Sequence, residues 1–144
     1  MDPDPTRRRT ARPDVLAAVA AGGMVGAAAR HGLSQWLPGG RGSFPWATFW
    51  VNVSGSFLLG LVLVLVLERF PPTRLVRPFL ATGVLGALTT MSTYGVELAL
   101  LLDDGRPLTA AAYGLGTPAA GLALALAGMR AGRLVPRRPT EANR

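Results

Sequence analysis

The sequence contains no cysteine, no lysine and a single histidine among its 144 residues. Without cysteine, neither a disulfide framework nor a thiolate metal site can form. One histidine also argues against a zinc site. The pattern contains no nucleophile with a base partner, no paired catalytic carboxylates and no clustered metal ligands, so it argues against an enzyme.

The net charge of +7 comes from arginine, which supplies all fifteen strongly basic residues. The arginines lie at the ends of apolar blocks and do not alternate with aromatic residues. Such charge is typical of the flanks of membrane helices and not of a nucleic-acid-binding face. We therefore expect no nucleic-acid partner.

Hydrophobic residues make up 49% of the chain and are gathered into four blocks. The blocks run from about Val15 to Leu37, Trp46 to Leu67, Arg77 to Leu102 and Leu108 to Met129. Each holds ~20 or more residues, which as a helix spans roughly 30 Å, the thickness of the hydrocarbon core of a bilayer. The sequence predicts an all-α membrane domain of four transmembrane helices over residues 15–129. The basic tails 1–14 and 130–144 are predicted to be disordered.

The arginines are divided unequally between the two sides of such a domain. Four spans place the N-terminal tail, the loop between spans two and three, and the C-terminal tail on one side. That side holds Arg7, Arg8, Arg9, Arg12, Arg69, Arg74, Arg77, Arg130, Arg133, Arg137, Arg138 and Arg144. The loops on the opposite side hold Arg41 and Arg106, and Arg30 lies inside span one. This bias predicts a plasma-membrane protein with both termini in the cytoplasm.

The centre of the third block is polar. Gly86 and Gly95 bracket five hydroxyl-bearing residues, which are Thr89, Thr90, Ser92, Thr93 and Tyr94. Small and hydroxyl side chains can support a broken helix, and unwound carbonyls at mid-membrane can bind a cation. An unbroken helix, whose hydroxyls bond back to the preceding turn, fits the same spacing. The spacing alone does not decide between them.

Other polar residues in the spans need a reason because they are costly in lipid. Asn52 offers N–H donors to an anion, or an interhelical hydrogen bond. Tyr113 and Thr117 are four residues apart and share a helix face, although Tyr113 also fits an interfacial aromatic belt. Arg30 could snorkel outward or attract anions to a vestibule. Glu97 could carry a proton, pair with an arginine or bond two helices, and we favour a structural role.

Taken together, these residues resemble the Fluc (CrcB-type) fluoride channels over roughly residues 22–128. The matching pieces occur in the family's order: Gly22-Gly23-Met24-Val25-Gly26-Ala27 with Arg30, Phe44-Pro45-Trp46-Ala47-Thr48, Val51-Asn52-Val53-Ser54-Gly55-Ser56, Thr82-Gly83, then Gly86 to Tyr94, Glu97 and Tyr113. Each piece is weak by itself, whereas their joint order and spacing are specific.

The resemblance implies an antiparallel dimer of four-helix subunits with two narrow pathways, through which cytoplasmic fluoride leaves the cell passively. It implies a structural sodium ion at the dimer centre, held by backbone carbonyls of Gly86 and Thr89 from both subunits. It places Asn52, Ser92, Thr93, Tyr113 and Thr117 along the fluoride pathway. Arg30 would lie near a vestibule.

Two features depart from the family's pattern. Met91 and Tyr94 occupy pathway positions where the family usually has phenylalanines. Tyr94 keeps a ring whose positive edge can face an anion, whereas Met91 has only a thioether. The steep arginine bias also disfavours insertion in both orientations. Our hypothesis is that this subunit inserts one way and pairs with a homologous subunit of opposite orientation, which supplies the missing phenylalanines.

Two other functions fit a short four-span protein. A proton-coupled small multidrug exporter needs a membrane-embedded acid in span one, and this chain has none there. A non-transporting membrane assembly factor would require neither a broken span nor a path of donors. Fluoride sensitivity of a strain lacking the gene would distinguish an exporter from a scaffold.

Overall fold

The computed structural model describes residues 12–37, 42–69 and 74–136, which form helices and no strand. Helices α1 and α2 comprise Pro13–Trp36 and Trp46–Val64, and α2 continues as a π-helical turn over Leu65–Arg69. Helix α3 joins a π-helical stretch, Pro78–Leu85, to an α-helical turn, Gly86–Leu88. Helices α4 and α5 comprise Met91–Asp103 and Pro107–Leu134.

These helices form four segments long and apolar enough to cross a membrane, which are Pro13–Trp36, Trp46–Arg69, Pro78–Asp103 and Pro107–Leu134. The all-α, four-span prediction is therefore confirmed. The last helix extends past the predicted end near Met129 to Leu134. The rest of the two predicted tails, residues 1–11 and 137–144, lies outside the described residues.

The third span is broken, as one of the two interpretations of its sequence predicted. Thr89 (φ −74°, ψ 151°) and Thr90 (φ −143°, ψ 119°) are extended between α3 and α4. The Thr89 hydroxyl also bonds back to the Leu85 carbonyl at 3.0 Å. This bond of a hydroxyl to the preceding turn is the kind expected of an unbroken helix, and here it lies on the α3 side of the break.

Glycines let the helices around this break approach closely. A Cβ on Gly22 would lie 2.2 Å from the Phe79 carbonyl oxygen, and one on Gly26 would lie 2.1 Å from that of Val84. The GxxxG pair thus packs α1 against the backbone of α3, as the spacing predicted. A Cβ on Gly128 would similarly meet α2, 2.1 Å from the Phe57 carbonyl oxygen. These contacts fix the helix faces that meet at the polar centre.

The two ends of the bundle differ in chemistry. At one end, Asp14 pairs with Arg74, and Glu68 pairs with Arg133 at 3.3 Å. These pairs join the start of α1 to the start of the third span, and the end of the second span to the end of α5. We call this the arginine end. The opposite, tryptophan end carries the exposed side chains of Trp36, Trp46 and Trp50.

Candidate functional site

The break in the third span is held by one side chain of the second. Asn52 Nδ2 donates to the Thr90 carbonyl at 3.0 Å, and the Thr90 N–H donates to Asn52 Oδ1 at 2.8 Å. The carboxamide thus pairs with Thr90 as a second peptide would. Asn52 therefore makes interhelical hydrogen bonds, which is one of the two roles considered for it from the sequence. The second N–H of its amide takes no part in this pair.

The same hydrogen bonds release two carbonyls of the third span from their helical donors. In a continuous α-helix, the N–H of residue 90 would donate to the carbonyl of Gly86, and that of residue 93 to Thr89. Here the Thr90 N–H donates to Asn52, and the Thr93 N–H donates to the Thr90 hydroxyl at 3.2 Å. The two carbonyls that the resemblance assigns to sodium are therefore among those that the break leaves without α-helical donors.

The Thr90 hydroxyl organises the start of α4. Besides capping the helix, it donates to Thr93 Oγ1 at 3.0 Å and lies 3.3 Å from Ser92 Oγ. Ser92 and Thr93 are themselves exposed on the surface of the single chain. A patch of hydroxyls therefore lies open beside the break.

Glu97 lies at the junction of three helices. It accepts the Thr48 hydroxyl at Oε1 (2.8 Å) and the Tyr113 hydroxyl at Oε2 (2.7 Å). These bonds give Glu97 the helix-bonding role favoured from the sequence. Tyr113 is 0% exposed, so the alternative that it lies in an aromatic belt is wrong. Thr48 belongs to one of the matching pieces of the sequence, but nothing in the sequence indicated that it pairs with Glu97.

Tyr94 and Met91 face very different surroundings. The Tyr94 hydroxyl donates to the Gly114 carbonyl at 2.6 Å, and its ring lies 5.1 Å from that of Tyr113. Tyr94 is thus packed within the chain. Met91 is 78% exposed. The single chain therefore leaves one of the two departing positions uncovered.

One open cavity of about 350 Å³ adjoins the break, and we call it the asparagine cavity. Asn52, Ser56, Thr90, Met91, Tyr94 and Thr117 are among its lining residues. Thr117 is 5% exposed, and its hydroxyl has no hydrogen-bond partner among the described residues. Buried hydroxyls are normally paired, so the Thr117 hydroxyl, whose oxygen is itself buried, is an unpaired polar group in the wall of this cavity.

A second open cavity of about 290 Å³, the arginine cavity, also reaches Thr90. Its lining includes Arg30, His31, Ser34, Thr48 and Thr93. A third cavity of about 480 Å³, the glutamate cavity, shares Ser34, Thr48 and Thr93 with it and adds Glu97 and Asp104.

The structure therefore divides the predicted site residues between two cavities that meet at Thr90. Arg30 and Thr93 line the arginine cavity, whereas Asn52, Met91, Tyr94 and Thr117 line the asparagine cavity. Tyr113 and Ser92 line none of the three cavities described above. Polar side chains of both cavities therefore lie beside the break.

Comparison with known proteins places this architecture in a family. The family model described as "CrcB-like protein, Camphor Resistance (CrcB)" matches residues 17–129. The chain is 51% identical to "Fluoride-specific ion channel FluC 3" of Streptomyces avermitilis, with 88% of this chain and 62% of that protein covered. It thus spans less than two thirds of that relative's length.

Two further relatives are covered almost completely. "Fluoride-specific ion channel FluC 2" of Nocardia farcinica is 45% identical, with 90% of this chain and 92% of that protein covered. "Fluoride-specific ion channel FluC" of Thermus thermophilus is also 45% identical, with coverage of 79% and 90%. The family model's match, residues 17–129, covers most of the four spans.

Proposed function

The chain belongs to the CrcB-like family, and from this membership we propose that it is a fluoride-specific channel subunit through which cytoplasmic fluoride leaves the cell passively. It is a channel and not an enzyme. The observation that carries the proposal is the Asn52-held break, whose Thr90 lines two separate cavities that polar side chains also line. The four apolar spans make it a multi-pass membrane protein.

The chemistry of these cavities suits fluoride. A small, tightly hydrated anion must receive strong donors in exchange for its water. The second N–H of Asn52 and the unpaired hydroxyl of Thr117 are the candidate donors in the wall of the asparagine cavity. Tyr94 lines the same cavity, and the edge of its ring carries the positive part of the aromatic quadrupole. Arg30 attracts anions to the other cavity.

A structural sodium ion fits the carbonyls of Gly86 and Thr89. Both lose their helical donors at the break, and carbonyl oxygens suit hard cations. The ion would supply the positive charge that freed carbonyl dipoles need at mid-membrane. In this role it holds the break open and takes no part in moving fluoride.

Sodium should therefore stabilise the assembled protein. We expect the free energy of unfolding in detergent to rise by about 1.4 kcal/mol for each tenfold increase in sodium above its dissociation constant. N-methylglucamine at equal ionic strength is the control, and it should have no such effect. Identical melting curves in the two cations would refute the sodium site and leave the channel proposal intact.

An antiparallel dimer accounts for the polar surface of the single chain. Met91, Ser92, Thr93 and the Gly86 backbone are exposed beside the break. In a lone subunit these groups would face lipid, which is unfavourable for hydroxyls and free carbonyls. A second subunit covers them and completes both the sodium site and the pathways.

The two ends of the bundle support one fixed orientation. Arginines gather at the end where both described termini lie, and the exposed tryptophans lie at the other. The positive-inside rule then places both termini in the cytoplasm, with the tryptophans at the outer interface of the plasma membrane. A chain that inserts one way requires a homologous partner of opposite orientation, which would also supply the aromatic side chain that Met91 lacks.

Reconstitution into liposomes tests the function and the partner together. We expect fluoride-electrode efflux to be at least about tenfold faster when the chain is assembled with a homologous subunit of opposite charge bias than when it is alone, because the lone chain inserts one way. Protein-free liposomes and a chloride electrode are the controls. Absence of fluoride efflux from any assembly would contradict the function.

The partner hypothesis has its own refutation. Fast efflux from the chain alone, with its termini found on both sides of the membrane, would establish a homodimer. If Met91→Phe raises efflux of the lone chain without changing its orientation, then conduction is limited by the missing ring, and the charge bias is not the cause.

A further inference from the structure

His31 is the only histidine of the chain, and the fluoride pathway proposed above gives it no role. It follows Arg30 on α1 and lines the arginine cavity with it. Thr90 and Thr93, the hydroxyls at the break, line the same cavity. The one side chain whose type changes charge between about pH 5 and 8 thus lies at an approach to the proposed fluoride path.

The other groups around this cavity leave its charge to α1. Helix α2 contributes Ala47, Thr48 and Val51, which are uncharged, and α4 contributes Thr93. The nearest acidic lining belongs to the adjoining glutamate cavity, where Glu97 and Asp104 lie. Both of those carboxylates lie outside the lining of the arginine cavity. Within that lining, Arg30 supplies the fixed positive charge and His31 the variable one.

The contacts of His31 allow both of its charge states. Gln35 Nε2 lies 3.3 Å from His31 Nε2 one turn along α1. In this arrangement the amide donates to a neutral ring. Rotation of the Gln35 amide would present its oxygen to a protonated ring instead, and the two amide orientations are nearly equal in shape. Protonation therefore requires only a local side-chain flip.

Resting on the proposed function, we propose that His31 is a second cationic group of the fluoride entrance, which tunes anion capture in the arginine cavity through its protonation. A positive charge in a cleft with low-dielectric walls raises the local concentration of anions and their rate of association. Fluoride still holding its water would gather beside Arg30 and His31 before the Thr93 hydroxyl replaces part of that water.

Fluoride currents across planar bilayers test this role in the assembled channel. Electrical recording is required because hydrofluoric acid, which also crosses membranes at low pH, is neutral and carries no current. We expect the wild-type current to rise roughly two- to fivefold from about pH 7.5 to about pH 5.5 at low ionic strength, and less in ~1 M inert salt. His31→Gln should stay at the high-pH level, and His31→Arg at the low-pH level, at both pH values.

Each outcome decides the proposal. If His31→Gln and His31→Arg keep the wild-type response to pH, another group titrates and the proposal is wrong. If the wild-type current does not change with pH, the proposal is also wrong, whatever the variants do. If the wild type passes no fluoride current at either pH, the proposed function fails and this inference fails with it.

Discussion

Asn52→Leu should lower fluoride efflux about 100-fold, the largest functional effect that we expect of any single substitution in the chain. Leucine has the branching and the number of side-chain heavy atoms of asparagine, but it neither donates to the Thr90 carbonyl nor accepts from its N–H. Losing the pair costs ~2–3 kcal/mol, which corresponds to about 100-fold. The Thr90 N–H can regain a partner by donating to the Gly86 carbonyl as in a continuous helix. Closing the break in this way would remove the freed carbonyl and reshape both cavities.

Liposome efflux at equal protein density measures the effect, and Ser54→Ala is the matched control. Ser54 lies two positions away on α2, is exposed, and bonds only to its own helix at the Trp50 carbonyl (2.5 Å) and, more weakly, the Val51 carbonyl (3.5 Å). Its loss should leave efflux within about twofold, since surface changes of this kind have small effects. Asn52→Asp separates the two bonds, because a carboxylate accepts from the Thr90 N–H but repels the carbonyl. Normal efflux from Asn52→Leu would show that the break does not depend on Asn52.

Glu97→Leu should produce the largest loss of stability, lowering the free energy of unfolding by ~2–5 kcal/mol. The substitution leaves two buried hydroxyls without an acceptor, those of Thr48 and Tyr113, which both donate to the carboxylate in the wild type. Each unsatisfied buried group costs ~1–3 kcal/mol. Glu97→Gln should cost less, because the amide oxygen still accepts one hydroxyl. Thermal or denaturant unfolding in detergent measures the difference.

A double-mutant cycle identifies the cause of that loss. Tyr113→Phe removes one of the stranded hydroxyls, so in the Glu97→Leu background it should cost less than it does in the wild type. Glu68→Gln is the control for removing a carboxylate, since Glu68 pairs with Arg133 at the exposed arginine end and such pairs contribute ~0–1 kcal/mol. Additive costs for Glu97→Leu and Tyr113→Phe would contradict the hydrogen-bonded junction.

The four spans, their approximate ends and the close packing of α1 could be predicted from the sequence, because these features depend on neighbouring residues. Block length and hydropathy determine whether a helix spans the bilayer. The four-residue spacing of Gly22 and Gly26 places both glycines, which lack side chains, on one face of α1, where another helix can pack closely. The polar centre of the third block indicated a possible break, although an unbroken helix remained equally compatible with it. The arginine count predicted an orientation from charge alone.

Only the tertiary structure decided what holds the break and which polar groups meet. Asn52 pairs with Thr90 across 38 positions, and Thr48 with Glu97 across 49, distances over which helical periodicity carries no information. Whether Asn52 points to an ion or to a backbone depends on which faces of α2 and the third span are in contact. A Cβ on Gly55 of α2 would lie 2.5 Å from Thr89 Cγ2, so this glycine lets α2 approach the break closely. The sequence by itself therefore determined a four-span protein with a polar centre, whereas helix packing determined that this centre is an Asn52-held break with released carbonyls.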